Sequence, residues 1–427
     1  MRDELYAALE KGFTSPIRDV LWGHIYLTPN LEALTRCAPF MRLHRIFQLG
    51  PTHCVYPGAT HTRAAHSLGV YHLARRLLRN FLEQGADAWT SPGGIRSFLC
   101  AALLHDLGHF PYAHSLKELP LEDHEALTGT IILAEPVKSL VGSAGADPYL
   151  TAAIINTALP GDAETELRFY RKLLSGALDP DKLDYLNRDA RYCGVPYGAQ
   201  DVDFILSRLH PHPERGADID SRGIPSVESV LFSKYLMYKT VYWHPAVRSA
   251  TGMIKKALLR GLEQGLIPQE QLYDLDDPGL FARLAGLGEP FLSWGTKVRD
   301  GCLYGVAVEF PYDEALRQEL AVITNRSQYE EALAAELSGH FGVPIRPESV
   351  ILDVPEQITF ETGLYVRDED CYFERSSGIF KAETVQAFIK SLQVIRIFVD
   401  PADLPAAVIS KGPSPRYELL QNKRRWL

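Results

Sequence analysis

The residue type that carries most information in this chain is histidine. Of 14 histidines, His53, His61, His66, His72, His105, His109, His114 and His124 fall within one short stretch. Imidazole titrates near neutrality and ligates divalent metals, so a local excess of it points to acid–base or metal chemistry. At the centre stands His105-Asp106, which closes the apolar run Phe98 to Leu104. Adjacent helical side chains diverge by about 100°, so the pair cannot form a simple core face. At a helix end beside a cavity they can converge on one ion, imidazole nitrogen and carboxylate oxygen together. Asp106 buried without a cation would cost several kcal/mol. A solvated aspartate with His105 capping carbonyls would explain the pair in isolation. His66 and a polar stripe add to it. Asp181, Asp184, Tyr185, Arg188 and Asp189 recur at helical spacing, flanked by Leu178, Leu183, Leu186 and Tyr192 rather than by solvent-loving residues.

Three helices must position these groups. Apolar residues at three-and-four spacing predict one from Ser67 to Leu82, with Gly85 just beyond. Ser91-Pro92 is an N-cap with proline at the first turn, and the helix it opens runs to Asp106, stopped by Gly108. Asp179-Pro180 announces a third, ending at Cys193-Gly194. One amphipathic segment follows from Val227 to Gly265. Beyond Gly279 the texture changes to β-like runs (Leu303 to Phe310, Val350 to Val354, Gly363 to Val366, Val394 to Val399) between helical patterns at Gln328 to Phe341 and Ala382 to Leu392. The fold class is therefore mainly α: a helical core over residues 1–270 and a smaller α+β region over 271–427, divided near 270 to 300.

Composition narrows the function classes. The chain has 427 residues and Lys+Arg 44 against Asp+Glu 53, a net charge of −9. That acidity argues against strong nucleic-acid binding, which needs a basic face. No apolar run reaches the roughly 18 to 20 residues of a membrane helix, and Met1-Arg2-Asp3-Glu4 opens no secretory signal. Six cysteines without a CxxC read as reduced thiols, so a cytoplasmic protein is expected.

Longer words around these residues carry a resemblance. His66-Ser67-Leu68-Gly69-Val70, Leu104-His105-Asp106-Leu107-Gly108-His109-Phe110-Pro111-Tyr112-Ala113-His114 and Asp181-Lys182-Leu183-Asp184-Tyr185-Leu186-Asn187-Arg188-Asp189 resemble the HD-domain phosphohydrolases. Within them the chain is similar to the deoxynucleoside triphosphate triphosphohydrolase branch, which includes the sterile-alpha-motif/HD enzymes and bacterial dGTPase-like proteins. Trp22-Gly23-His24-Ile25, Arg42 through Gly50 and Met237 through Pro245 fit the same branch. The likeness covers roughly residues 12 to 265, with no sterile-alpha-motif domain.

The resemblance implies an all-helical HD core holding one divalent metal ion through His66, His105, Asp106 and Asp181. The donor set suits Mn, Fe, Ni, Zn or Mg alike. It implies hydrolysis of a deoxynucleoside triphosphate to deoxynucleoside and tripolyphosphate. His124 would act as general acid or orienting group, and His109 and His114 would contact phosphate. Arg63, Lys182 and Lys234 would bind the triphosphate, Gln48 and Asp189 the 3′-hydroxyl. Tyr185 would exclude a 2′-hydroxyl, and Tyr242 would touch base or sugar. Homo-oligomers are usual in the branch. The chain also departs from it: Lys117 stands where relatives carry an acid partnering the catalytic histidine, with Glu118 as the possible substitute. Met41 and His44 replace the polar residues of the animal activator site, so GTP activation of that kind is not expected. Two other readings stay open, a phosphohydrolase of other nucleotides or phosphate esters and a non-catalytic nucleotide sensor.

Overall fold

The computed structural model describes residues 2–161, 164–311, 320 and 322–404. Local signals set the helix ends. Helix α1 (Arg63–Glu83) begins four residues before the expected Ser67, because the Thr62 side chain caps it by accepting from the Ala65 amide. Helix α2 (Pro92–Leu104) has Ser91 as N-cap and Pro92 in its first turn. Apart from Arg96 and Ser97 its body is apolar, and it lies buried against α1. Helix α3 (His124–Leu133) is capped by Asp123. Helix α4 (Pro180–Cys193) is capped by Asp179, whose Oδ1 accepts from the Lys182 amide at 2.7 Å. It stops at Gly194, which takes the left-handed conformation (φ 68°).

The amphipathic segment expected from Val227 to Gly265 forms two helices, α5 (Ile224–Met237) and α6 (Pro245–Glu263), joined by a π turn at Tyr238–Tyr242. Pro245 lacks an amide hydrogen and pushes His244 into an extended conformation, which ends the first helix and starts the second. Helices α7 (Arg326–Phe341) and α8 (Ala382–Leu392) follow.

In chain order the strands are β1 (Ile17–Asp19), β2 (Gly23–Ile25), β3 (Leu209–His212), β4 (Gly216–Ile219), β5 (Gly305–Pro311), β6 (Val350–Asp353), β7 (Tyr365–Val366), β8 (Cys371–Tyr372) and β9 (Val394–Val399). β1 and β2 make a hairpin, and β9 lies between β5 and β6 as their antiparallel partner. The remaining sheet, ordered β3-β4-β7-β8, joins strands from both halves of the chain: β7 runs parallel to β4. The structure is mainly α with a smaller stranded region, as expected. It does not divide cleanly at residue 270, however. Phe360, Leu364, Val366, Phe373, Phe380, Val385 and Leu392 pack into the same core as α1, α2 and α4. Among the described residues no helix is long and apolar enough to cross a membrane.

Candidate active site

Element ends place the four side chains expected to hold a metal. His66 lies in the first turn of α1, His105 caps the end of α2, Asp106 follows it, and Asp181 lies in the first turn of α4. His66 Nε2 is 2.9 Å from Asp181 Oδ1. His105 Nε2 is 3.9 Å from the same oxygen and 3.4 Å from Asp106 Oδ1. That Nε2 is buried with no hydrogen-bond partner, while Nδ1 donates to the Ala102 carbonyl at 3.0 Å. His66, His105 and Asp181 bring ligand atoms within 4.8 Å of one another, with the Asp106 carboxylate beside His105 and one nitrogen unpartnered, a donor set that fits a divalent metal. Burial opposes a charged His66, but hydrogen bonds to Asp181 and Asp184 outweigh it and lift the ring to about 10.

Behind the ligands sits a support layer. His66 Nδ1 donates to Asp184 Oδ2 at 2.8 Å. Asp184 also accepts from Arg188 Nε (2.8 Å), Arg188 Nη2 (2.9 Å) and Trp22 Nε1 (2.5 Å), and Arg188 reaches on to Asp19 at 2.9 Å. Burial would raise the Asp184 carboxyl, yet Arg188 and His66 hold it at about 2. Gly69 lets α1 approach α4 this closely, since a Cβ there would lie 1.8 Å from Asp184 Oδ1. Arg42, buried without a carboxylate, donates to the carbonyls of Leu107 and His109 (each 2.7 Å) and of Leu275 (3.0 Å), fixing the turn after the HD pair.

The other histidines gather beside Asp106. His109 is fully buried and stacks on His124, ring centroids 4.0 Å apart and planes 16° apart; His114 is 4.5 Å from His109 and 5.1 Å from His124. Burial pushes His124 down to about 4 despite Asp106 and Asp123 nearby, and drives His109 down too, so both rings are neutral at pH 7. Glu118 is not the missing acid. Its carboxylate accepts from Lys255 (2.6 Å) and Arg326 (3.2 Å) and partners no histidine.

The ligands open onto a cavity of ≈ 750 Å³, a size suited to a nucleotide. Gln48, Arg63, His114, His124, Tyr185, Asp189 and Tyr242 line it with the ligand set, and His109 lies behind. Gln48 Oε1 is buried without a partner. Asp189 accepts from His61 Nε2 (2.8 Å) and the Tyr242 hydroxyl (2.6 Å). Arg63 donates to Asp106 Oδ2 at 2.8 Å. Two expected phosphate ligands are not brought here. Lys182 turns back onto buried Asp179 (2.7 Å) and the Gly176 carbonyl (3.1 Å). Lys234 is held by Glu361 (2.8 Å) and the Thr359 carbonyl (2.7 Å). In each case a nearby carboxylate captures the ammonium. The sequence alone assigned no role to His61, to Arg42, to Trp22 as a donor, or to the wall at residues 354–358; His61 stood within the histidine-rich stretch, and Arg42 and Trp22 lie within the words that carry the resemblance.

Residues 63–146 match the HD domain, and residues 201–382 match the HD associated region. The chain is therefore an HD-domain protein that carries an HD-associated region. More particularly, it is 38% identical over 227 residues to the uncharacterized protein YwfO of Bacillus subtilis, covering 52% of this chain and 49% of that one. It is 29% identical over 275 residues to the deoxynucleoside triphosphate triphosphohydrolase SAMHD1 of Homo sapiens, covering 57% and 44%. The chain spans about half the length of the curated relatives it matches. A phosphohydrolase structure from Bacteroides thetaiotaomicron superposes with a TM-score of 0.70 at 23% identity, covering 91% of this chain and 100% of that one, which shows the shared fold.

Proposed function

We propose that this chain hydrolyses deoxynucleoside triphosphates to deoxynucleoside and tripolyphosphate, with one divalent metal ion held by His66, His105, Asp106 and Asp181. The observation that carries the reading is the proposed ligand set opening into a nucleotide-sized cavity that Gln48, Tyr185 and Asp189 also line. Similarity to a deoxynucleoside triphosphate triphosphohydrolase supports the substrate.

A bound divalent ion supplies the positive charge that polarises a phosphoryl oxygen and acidifies a water. Asp184 fixes His66 with Nδ1 as donor, leaving Nε2 toward the ligand point. Tyr185 packs its ring on the sugar and leaves little room for a 2′-hydroxyl. Gln48 Oε1 accepts from the 3′-hydroxyl. Asp189 receives one donor on each oxygen, so a lone pair remains on each for the same hydroxyl. Arg63 sets Asp106 and puts its own charge near the phosphates. The leaving tripolyphosphate must be met by a proton or a positive charge, and Arg63 and the cluster of His109, His114 and His124 stand beside Asp106.

A second reading, hydrolysis of a less highly charged phosphate ester, is favoured by Lys182 and Lys234 facing away from the cavity. The test is incubation with each dNTP and Mn²⁺, followed by separation of tripolyphosphate from pyrophosphate and phosphate. Tripolyphosphate as the first product supports the proposal. Phosphate released only from monoesters supports the second reading, and no product at all leaves a nucleotide sensor.

A further inference from the structure

Gln48 and Asp189, the two groups placed above on the 3′-hydroxyl, lie far apart in the chain, and one residue touches both. The Gln48 amide donates to the His61 carbonyl at 3.0 Å. His61 Nε2 donates to Asp189 Oδ1 at 2.8 Å. The first of these contacts belongs to a short ladder, in which Phe47 bridges Thr62 and the Arg63 amide donates to the Ile46 carbonyl at 3.0 Å. Residues 46–48 and 61–63 are thus held as one piece.

The His61 ring is itself held tightly. Its side chain is 0% exposed and that of Asp189 2%. It packs on Tyr192, ring centroids 4.6 Å apart, and Tyr192 lies three residues beyond Asp189 on α4. Gly58 lets the loop ahead of His61 close on that helix, since a Cβ there would lie 2.5 Å from the Tyr192 carbonyl oxygen. The second ring nitrogen, Nδ1, is buried with no hydrogen-bond partner. A buried polar atom left so is costly, and the imidazole is therefore in place for what Nε2 does. Nε2 pins the carboxylate. The terminal torsion of an aspartate is soft, so the Tyr242 hydroxyl on Oδ2 alone would let the group swing about one contact. A donor on each oxygen fixes its plane.

We propose that His61 is the positioning residue of the 3′-hydroxyl subsite: its backbone sets Gln48, its side chain sets Asp189, and the spacing between them selects nucleotides with a free 3′-hydroxyl. The proposal rests on the reading above, which supplies the subsite, but concerns recognition of the sugar rather than hydrolysis. Gln48 Oε1 is already buried without a partner. A ligand lacking the 3′-hydroxyl would leave it and the Asp189 carboxylate unpaired beside the sugar, a mismatch that such sites reject strongly.

Deoxyguanosine and 2′,3′-dideoxyguanosine are titrated calorimetrically into the full chain in the presence of a chelator, so that neither metal nor turnover enters, with circular dichroism reporting the fold. Wild type should prefer deoxyguanosine by roughly ten- to a hundredfold, the scale of one hydrogen bond to a charged group. His61→Gln, whose amide nitrogen can take the place of Nε2, should keep most of that preference. His61→Asn, equally polar but too short to reach Asp189, should lose it. A histidine that only fills space would make the two variants alike. Equal preferences in folded His61→Gln and His61→Asn, whether kept or lost, overturn the proposal, as does a wild type that binds both nucleosides alike or neither. Should His61→Asn not fold, Tyr192→Leu takes its place: it unclamps the ring and should lower the preference several-fold, and an unchanged preference overturns the proposal. Failure of the hydrolytic reading looks different: the preference holds in wild type and falls in His61→Asn, while dNTPs with Mn²⁺ yield no tripolyphosphate.

Discussion

Asp184 touches no ligand point, yet its replacement should reach the metal. It accepts four hydrogen bonds in a fully buried position: His66 Nδ1 and Arg188 Nε on Oδ2, Trp22 Nε1 and Arg188 Nη2 on Oδ1. Asp184→Asn keeps the shape but turns one oxygen into a donor. Whichever way the amide settles, two of the four donors face an NH2 group. Breaking a buried pair costs about 3–5 kcal/mol, and the surviving Arg188–Asp19 contact puts the variant at the lower end, about 3 kcal/mol. Against a usual stability of roughly 5–15 kcal/mol, the fold survives. His66 loses its fixed orientation, and loss of such a partner typically weakens metal binding by about 10–100-fold. Competition for Mn²⁺ against a chromophoric chelator measures this, with a thermal melt alongside. Trp22→Phe is the control: it removes a single donor, should cost about 1 kcal/mol, and should leave the affinity unchanged. Wild-type metal affinity in folded Asp184→Asn would refute the orienting role.

Tyr185→Ala should raise GTP turnover relative to dGTP by roughly tenfold, the scale at which one small group is discriminated; an unchanged ratio of kcat/KM removes the sugar filter. Lys182→Ala should leave KM for a triphosphate unchanged and lower stability by about 1–3 kcal/mol, since its ammonium holds Asp179 rather than the cavity. Urea unfolding and steady-state kinetics separate the two effects. Burial would raise the Glu356 carboxyl, but Arg248 and Lys255 hold it at about 2. That stabilisation is complete above its ordinary value of 4.5 and is lost as the pH falls through about 2. It amounts to on the order of 2 kcal/mol, allowing for partial exposure. Urea midpoints taken down to about pH 3 should fall less steeply in Glu356→Gln.

What the sequence revealed follows the range of the forces involved. The caps at Ser91 and Asp179 and the stop at Gly194 act within a few residues, so they were legible. The break at Tyr238–Tyr242 was not, because the apolar stripe runs on through it and Pro245 alone marks the new start. The four residues at the ligand point stood out because their spacing recurs in a known family. The direction of Lys182 did not, since it depends on how deeply Asp179 is buried. His61 meeting Asp189, 128 positions away, leaves no local trace. Nor does the parallel pairing of β7 with β4, which ties the second half of the chain into the first core.

That interleaving sets an order of assembly during synthesis. All four residues at the ligand point have been made once the ribosome passes Asp181, and α1, α2 and α4 can then close on one another. The wall at residues 354–358 and the core residues Phe360 to Leu392 come much later. The stranded region waits longest, because β9 must insert between β5 and β6. Domains begin to fold as they emerge, so the four residues proposed to hold a metal can come together well before the later wall that closes the cavity has been made.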